Sequence, residues 1–548
     1  MILKTKITDE RKAWNSALQN WNGPSIPYII IPKSKEELEQ LGEVGTALRE
    51  ELAFMNIENF QTYANLENII EAFPENPQRG LEAVTEHVVG HRFCPYDKVT
   101  MIILKHKAKK ALEKKKLKID LETASQTVLN LHLDTIVNTF RVGNSSRDIP
   151  WAYQELTKTK SDSSFWRVYA KSMEYLWGEQ ILQEKTVLTE KESKSARSLA
   201  QLFQGNFFHI SQWTRTISEY ASIIADFLDD IPRKPEKGKN TKDQGKPDTG
   251  FDDMSKNIPT NLNEQTKREL IKRLAEIGND GLPTNSTGLE DFKEIMAGYE
   301  KGDEKKACIR FYDMLSDSYT VTFTKQPFGK SRQRPFRPIQ WHPSMSPETL
   351  DVPSSLATGG RLIPGETTIA WKYRKRTKDS LEEIIPFLDL YIDSSGSVPD
   401  PTRVISLLTL AGFVVAKKAQ KKTDIRATVF SGKGQYKTTG PTRDLEAIFD
   451  TLVTYYNGGT IFPTEKLLDT PYPKQVLIIT DTFICNKEET AEKIRELSSK
   501  HKGNKITIYA TGPVVYSSYL EQAGAEVIHD TSTRIFKNII GKAQEVYK

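Results

Sequence analysis

The sequence predicts a multidomain α + α/β protein, with a largely α-helical N-terminal half, a flexible linker and a C-terminal doubly wound parallel sheet. Three observations lead there. From Glu10 to about Asp230, apolar residues recur at three- and four-residue spacing, as on the buried stripe of a helix. The stretch IPRKPEKGKNTKDQGKPDTG, residues 231–250, carries one aliphatic residue, Ile231, among Lys, Gly, Pro and Asp. After about Asp379, short apolar runs alternate with amphipathic ones, the texture of parallel strands crossed over by helices.

Taken in order, the segments justify that division. SKEELEQLGEVGTALREELAFM and SARSLAQLFQGNFFHISQWTRTISEYASIIADFL place apolar side chains one helical turn apart, and residues 1–230 form a mostly helical domain. Residues 231–256 cannot bury enough apolar surface to offset the entropy of ordering, so they are expected as a flexible linker. Residues 257–378 read as a connecting region, with helices in NEQTKRELIKRLAEIG and EDFKEIMAGYEKGDEKKACIRFYDMLSD. Its stretch 328–364, rich in Pro, Gly, Ser and Arg, is expected to wrap over a neighbouring domain. Residues 379–548 complete the chain. Their strands are IIPFLDLYI, DIRATVFS, KQVLIIT, KITIYAT and AEVIHD. Between them lie the helices VISLLTLAGFVVAKKAQ, RDLEAIFDTLVTYY, KEETAEKIRELSSK and SSYLEQAG, with TRIFKNIIGKAQEVY last.

Composition narrows the classes of function. The 548 residues are 37% hydrophobic with a mean hydropathy of -0.52, and no window approaches the roughly 18–20 apolar residues of a membrane span. The start, MILKTKITDERKAWN, lacks the apolar core of a signal peptide. Three widely spaced cysteines, Cys94, Cys308 and Cys485, argue against a disulfide framework and for a reducing compartment. A cytoplasmic protein is expected. The net charge of +5, from 77 basic and 72 acidic residues, is no nucleic-acid signature. The densest basic run, HKAKKALEKKKLK at residues 106–118, reads as a solvated helix face or a phosphate-binding stripe without aromatic residues for base stacking. No G-x-x-x-x-G-K-[ST] loop is present, since GKSRQRP at Gly329 lacks the leading glycine turn.

Two groups of residues carry recognisable chemistry. YIDSSGSV, at the end of the first apolar strand of the C-terminal domain, delivers Asp393, Ser395 and Ser397 to the edge where open α/β sheets bind ligands. Thr460 closes the loop YYNGGT, and Asp481 follows the strand KQVLIIT. Two carboxylates and three hydroxyls are hard oxygen donors, suited to Mg²⁺ or Mn²⁺ more than Zn²⁺. The plainer alternative is an Asx or Ser turn capping the next helix. D-x-S-x-S after the first strand, Thr in a later loop and Asp after a later strand resemble the metal-ion-dependent adhesion site (MIDAS) of von Willebrand factor A (VWA) domains, across residues 379–547. The resemblance implies a Rossmann-like VWA fold in which Ser395 and Ser397 bind Mg²⁺ (or Mn²⁺) directly and Asp393 and Asp481 bind directly or through water. It further implies that Thr460 enters or leaves as a partner's carboxylate arrives. Thr482 stands where the family often has Gly.

The second group lies in EHVVGHRFCPYD, residues 86–97. His87 and His91 are one helical turn apart, so both rings can face one metal. The motif resembles the H-E-x-x-H helix of zincin metallopeptidases, but Val88 stands in place of the glutamate base. Asp134 in VLNLHLDTIVN is similar to the third-ligand helix of metallopeptidase-like domains that precede some bacterial A domains, which implies a His87/His91/Asp134 set fit for Zn²⁺. Core or capping histidines are the alternative, and Cys94 is a further ligand candidate. Without the base, peptidase activity is not expected.

The layout resembles cytoplasmic VWA proteins that partner MoxR-type AAA+ ATPases, the CoxE-like and ViaA-like proteins. That implies a non-enzymatic adaptor whose metal site grips an acidic residue on the ATPase or on a client protein. Two alternatives stand beside it. A Ro-like RNA-binding protein would use the basic runs at 106–118 and 325–337, and a metal-chelatase-type subunit would normally carry an acidic stretch before its A domain, where this linker is basic.

Overall fold

The computed structural model describes residues 9–24, 26–49, 51–95, 97–160, 162–205, 207–231, 257–276, 283, 285, 287–300, 302–319, 334–359, 361–374, 386–469, 474–480, 484–500, 504–510, 518–529 and 536–539, with the side chains of 334–338, 357–359 and 371–374 left aside. The chain divides into two compact units, Met1–Ala307 and Cys308–Lys548. The segment expected to connect two domains is therefore split, and residues 257–307 belong with the first unit. The expected linker lies almost wholly outside the described residues; its first residue, Ile231, is buried in the helical core.

The first unit is built from helices around one apolar core. They are α1 (Glu10–Asn20), α2 (Lys35–Gln40), α3 (Glu43–Leu48), α4 (Leu66–Ala72), α5 (Pro77–Gly90), α6 (Lys98–Leu112), α7 (Leu121–Gly143), α8 (Asp148–Thr157), α9 (Ser164–Trp177), α10 (Glu190–Leu202), α11 (Ile210–Ile224), α12 (Glu264–Ala275) and α13 (Gly288–Tyr299). Many begin at a residue whose side chain takes an otherwise unpaired N–H of the first turn: Asn76 for α5, with Pro77 following, Asp97 for α6, Asp120 for α7 and Thr189 with Glu192 for α10. α7 lies at the centre, with Leu129, Leu133, Ile136 and Val137 fully buried among Tyr153, Phe165, Trp166 and Tyr169.

One expected helix gives way to a strand. Residues 34–55 form α2 and α3, and then Ala53–Asn56 (β1) pairs antiparallel with Gln61–Ala64 (β2). Both strands are almost entirely buried, so long-range pairing against the helical core overrides the local period.

The basic run is not a bare solvated face. Lys107 Nζ lies 2.6 Å from Asp291 Oδ2 on α13, His106 Nε2 is 3.2 Å from Asp291 Oδ1 and Glu294 Oε2, and Lys110 Nζ is 3.0 Å from Glu294 Oε2. Burial works to raise the Asp291 pKa, but the hydrogen bonds from His106 and Lys107 outweigh it and hold the carboxyl well below the usual carboxylate range.

The division falls within α14 (Glu304–Asp317), and in the second unit β3 (Arg334–Gln340) and β4 (Ile369–Arg374) pair antiparallel on either side of α15 (Val352–Gly359) in sequence. The segment 328–364, expected to wrap over a neighbour, supplies one strand of a two-stranded sheet whose other strand follows it. The main sheet is six-stranded. Its elements are β5 (Phe387–Asp393), α16 (Leu407–Ala419), β6 (Ile425–Phe430), β7 (Tyr436–Thr438), α17 (Leu445–Leu452), β8 (Lys474–Thr480), α18 (Lys487–Lys500), β9 (Lys505–Ala510), α19 (Ser518–Gln522) and β10 (Glu526–His529). The strand order is β10-β9-β8-β5-β6-β7, parallel except for β7, which pairs antiparallel with β6. The five expected strands are present. The edge hairpin strand β7 was not anticipated, because Tyr436–Thr438 is too short to show a period.

Strand β5 alternates faces. Tyr391 packs on Phe462 in a cluster with Ile478, Ile494 and Leu497, while the Ile392 side chain reaches Gly412 of α16. At the opposite end of the sheet from the expected site, Asp389 is fully buried and forked by Arg426 (Nε–Oδ1 2.9 Å, Nη2–Oδ2 2.7 Å), its direct cross-strand partner, with Lys474 Nζ 3.5 Å away.

Candidate metal centres

His87, His91 and Asp134 converge. α5 carries both histidines and α7 the aspartate, and all three are fully buried. The Nε2 atoms of His87 and His91 are 3.2 Å apart, and Asp134 Oδ1 lies 3.7 Å from the first and 3.6 Å from the second. Gly90 permits this approach of the two helices: a Cβ there would stand 2.4 Å from Val137 Cγ1 on α7.

The far nitrogen of each ring is occupied. His91 Nδ1 is 2.8 Å from the Cys94 carbonyl oxygen, which can only accept, so that nitrogen carries the proton. His87 Nδ1 is 2.7 Å from Asn138 Oδ1, and Asn138 Nδ2 donates to the Tyr153 hydroxyl at 3.0 Å. Each ring thus turns its Nε2 towards the Asp134 carboxylate, and the three groups together could hold a metal ion. The Cys94 thiol is not part of this cluster; burial, with Asp134 nearby, pushes its pKa well up.

Glu86, the acidic neighbour of His87, points elsewhere. It accepts from Arg141 at 2.6 Å, from Ser146 Oγ at 2.6 Å and from Asn20 Nδ2 at 3.0 Å. It is held as a structural ion pair, on the wall of a cleft of about 600 Å³ that Arg79, Arg141 and Asp148 also line.

The other expected constellation lies at the carboxyl ends of β5 and β8, where the strand order reverses. Asp393 ends β5 and is 2% exposed; its Oδ1 takes the Ser395 N–H at 2.9 Å and its Oδ2 takes the Thr480 hydroxyl, at the end of β8, at 2.7 Å. Ser395 Oγ and Ser397 Oγ are 3.0 Å apart, and Ser397 is exposed. The loop that carries Thr460 is tied to the same turn: Gly396 N–H donates to Gly458 O at 3.0 Å and Asn457 N–H to Ser394 O at 3.1 Å. A Cβ at Gly458 would lie 2.4 Å from Gln435 Oε1 and 2.8 Å from Ser431 Oγ, so a larger residue would displace both side chains. Tyr455 reaches across to donate to the carbonyl oxygens of Ser395 and Val398. Thr460 itself is buried, its carbonyl accepting from the Cys485 N–H at 2.8 Å. Asp481 lies outside the described residues.

Asp393, Ser395 and Ser397 thus share one turn to which the loop of Thr460 is tied, and His87, His91 and Asp134 meet between two helices. Sequence reading missed Asn138 and Thr480. Asn138 is four residues after Asp134, on the same face of α7, and that spacing was the available signal. Thr480 carried none, because a threonine ending a strand is ordinary. No protein-family model matches the chain, and no curated protein matches it either.

Proposed function

We propose that the second unit is a VWA domain whose MIDAS holds Mg²⁺ through Asp393, Ser395, Ser397, Thr460 and Asp481, and that the chain is a non-enzymatic adaptor working with a MoxR-type AAA+ ATPase. The observation that carries the reading is the placement of Asp393, the Ser395/Ser397 pair and the Thr460 loop at the switch point of a mixed sheet with one antiparallel edge. The two serine hydroxyls stand 3.0 Å apart, the separation of adjacent corners of an octahedral shell at Mg–O distances of about 2.1 Å. Exposure of Ser397 beside buried Asp393 leaves one side of such an ion open to a carboxylate from a partner. Bound Mg²⁺ would supply that electrostatic attachment, and the chain's own groups would orient it.

The basic run does not favour RNA binding, because His106, Lys107 and Lys110 already face Asp291 and Glu294. Glu86, the acid next to His87, is held by Arg141 and Ser146, which favours an adaptor over a peptidase. The test is capture of the MoxR-type ATPase on the immobilised full chain, in Mg²⁺ and in EDTA. Capture is expected to need Mg²⁺ and to vanish in Ser397→Ala and Asp393→Ala. Capture that survives EDTA and both substitutions would sink the adaptor mechanism.

A further inference from the structure

The first unit holds a cleft that the adaptor reading does not use. It opens between α5, the end of α7 and the start of α8, and its volume of about 600 Å³ lies within the roughly 300–1,000 Å³ of small-ligand sites. Its charged lining is three guanidiniums, Arg79, Arg141 and Arg147, against two carboxylates, Glu86 and Asp148, which leaves one positive charge over. The inner pair is closed. Arg141 is 5% exposed, gives Nε and Nη2 to Glu86 and gives Nη1 to the Asn20 carbonyl. The outer arginines are open. Arg79, 33% exposed, donates from Nε to Asp148 Oδ1 at 2.8 Å and from Nη2 to the Arg147 carbonyl at 3.0 Å. Those bonds use two of the five N–H donors of a guanidinium. Arg147 is exposed, and no acceptor among the described residues meets its guanidinium.

Arg79 is held in orientation from behind. Its guanidinium lies 4.6 Å over the Trp151 ring, and Trp151 packs on Phe73. With Nε fixed on Asp148 as well, its unused donors are presented in a set plane. The turn that carries Arg147 is fixed too: the Ser145 N–H donates to Val142 O at 2.9 Å and the Ser146 N–H to Arg141 O at 3.1 Å. A strut between α5 and α8 needs only the Arg79–Asp148 pair, and the charge of Arg147 lies outside that need. We propose that this cleft binds a phosphate monoester, whose oxygens are shared between Arg79 and Arg147 and whose ester group fills the remaining volume. A carboxylate presents two oxygens in one plane and is satisfied by one fork. A tetrahedral phosphate turns oxygens in several directions and can meet two guanidiniums from separate segments. The phosphate belongs either to a small metabolite or to a phosphoserine of a partner protein, and the recognising chemistry is the same.

The test uses the full chain in Mg²⁺-free buffer, so that no cation at the C-terminal site collects phosphate. AMP, a neutral peptide carrying one phosphoserine, and acetate are titrated at fixed ionic strength by calorimetry. Saturable binding of AMP or of the phosphopeptide is expected, with acetate weaker by about tenfold or more. The tighter phosphate probe assigns the source. Arg147→Gln is expected to weaken that probe by about 10- to 100-fold, through the loss of charge-assisted hydrogen bonds. Arg79→Lys keeps the charge beside Asp148 but not the fork, and is expected to weaken it by about tenfold. Lys116→Gln, an exposed change in the basic run, is expected to leave it unchanged. Heat denaturation checks that Arg147→Gln, also at an exposed position, folds as wild type does. Binding of neither phosphate probe, or acetate bound as tightly as phosphate, overturns the proposal. So does wild-type affinity in Arg147→Gln or Arg79→Lys, or an equal loss in Lys116→Gln.

Discussion

The two candidate centres differ in what surrounds them more than in what builds them. Each draws on two separate segments, and each places at least one carboxylate among neutral donors. His87, His91 and Asp134 lie on two packed helices with no exposed surface, and the two ring Nδ1 atoms are tied to Asn138 and a backbone carbonyl. Asp393, Ser395, Ser397 and Thr460 lie at the end of a sheet, where loops meet and Ser397 faces solvent. Ligands on helices inside a core can act on the fold; ligands on loops at a sheet edge can act on a partner. The difference teaches that a donor set alone does not assign a role, whereas its access to water does.

The largest effects should separate the two sites by stability. His91→Ala removes one of the two imidazoles that face buried Asp134 and is expected to lower the unfolding free energy by ~3–5 kcal/mol in denaturant titration. Asp389→Ala gives the matching control in the second unit, since it strands Arg426 and Lys474 in the sheet, with a similar expected loss of ~3–5 kcal/mol. Wild-type stability in either variant would remove the distinction between a stapled core and an ordinary one.

Exchange should separate them next. Added EDTA is expected to end Mg²⁺-dependent capture within mixing time, while a metal held by His87, His91 and Asp134 would leave only as fast as the protein unfolds, measured by a colorimetric chelator in rising urea. Release of both metals at one rate would mean that the helical centre is open.

A smaller effect concerns the ion pairs that fasten α13 to α6. Asp291→Asn is expected to cost ~1–3 kcal/mol at neutral pH. The folded carboxyl sits below its ordinary value of 3.8, so its contribution is complete above that value and is lost as pH falls through the lower folded value. The gap between variant and wild type should therefore persist down to about pH 4 and close below it. A gap that closes between pH 7 and 5 would assign the effect to His106 instead.

Smallest of all in stability is Ser397→Ala, within ~0.5 kcal/mol of wild type because Ser397 is an exposed residue. Asp393→Ala is a blunter probe than the sequence suggested: Asp393 is buried and accepts from Ser395 and Thr480, so a loss of ~1–3 kcal/mol accompanies any loss of binding. Ser397→Ala thus isolates partner binding from folding.

Much of this architecture was legible in the sequence, for identifiable reasons. β8 and β9 are buried along nearly their whole length, so VLIIT and TIYA announce themselves without knowledge of their neighbours. The four-residue spacing of His87 and His91 fixes them on one side of α5 wherever that helix packs. Residues 53–56 misled because β1 exists only through β2 and the core behind it. The basic run misled likewise, since its acidic partners Asp291 and Glu294 come from a segment nearly two hundred residues away.

By itself the sequence determined which residue types were at hand: hard oxygen donors after one strand, two imidazoles one turn apart, and no base between them. Local periodicity and turn chemistry carry that information, because both act over a few residues. Only the tertiary structure decided what those residues meet. It set Asp134 against both imidazoles through a close helix approach at Gly90, joined Thr480 to Asp393 across β5 and β8, and turned Glu86 away to Arg141. Such contacts depend on packing between distant segments, and no spacing within one segment encodes them.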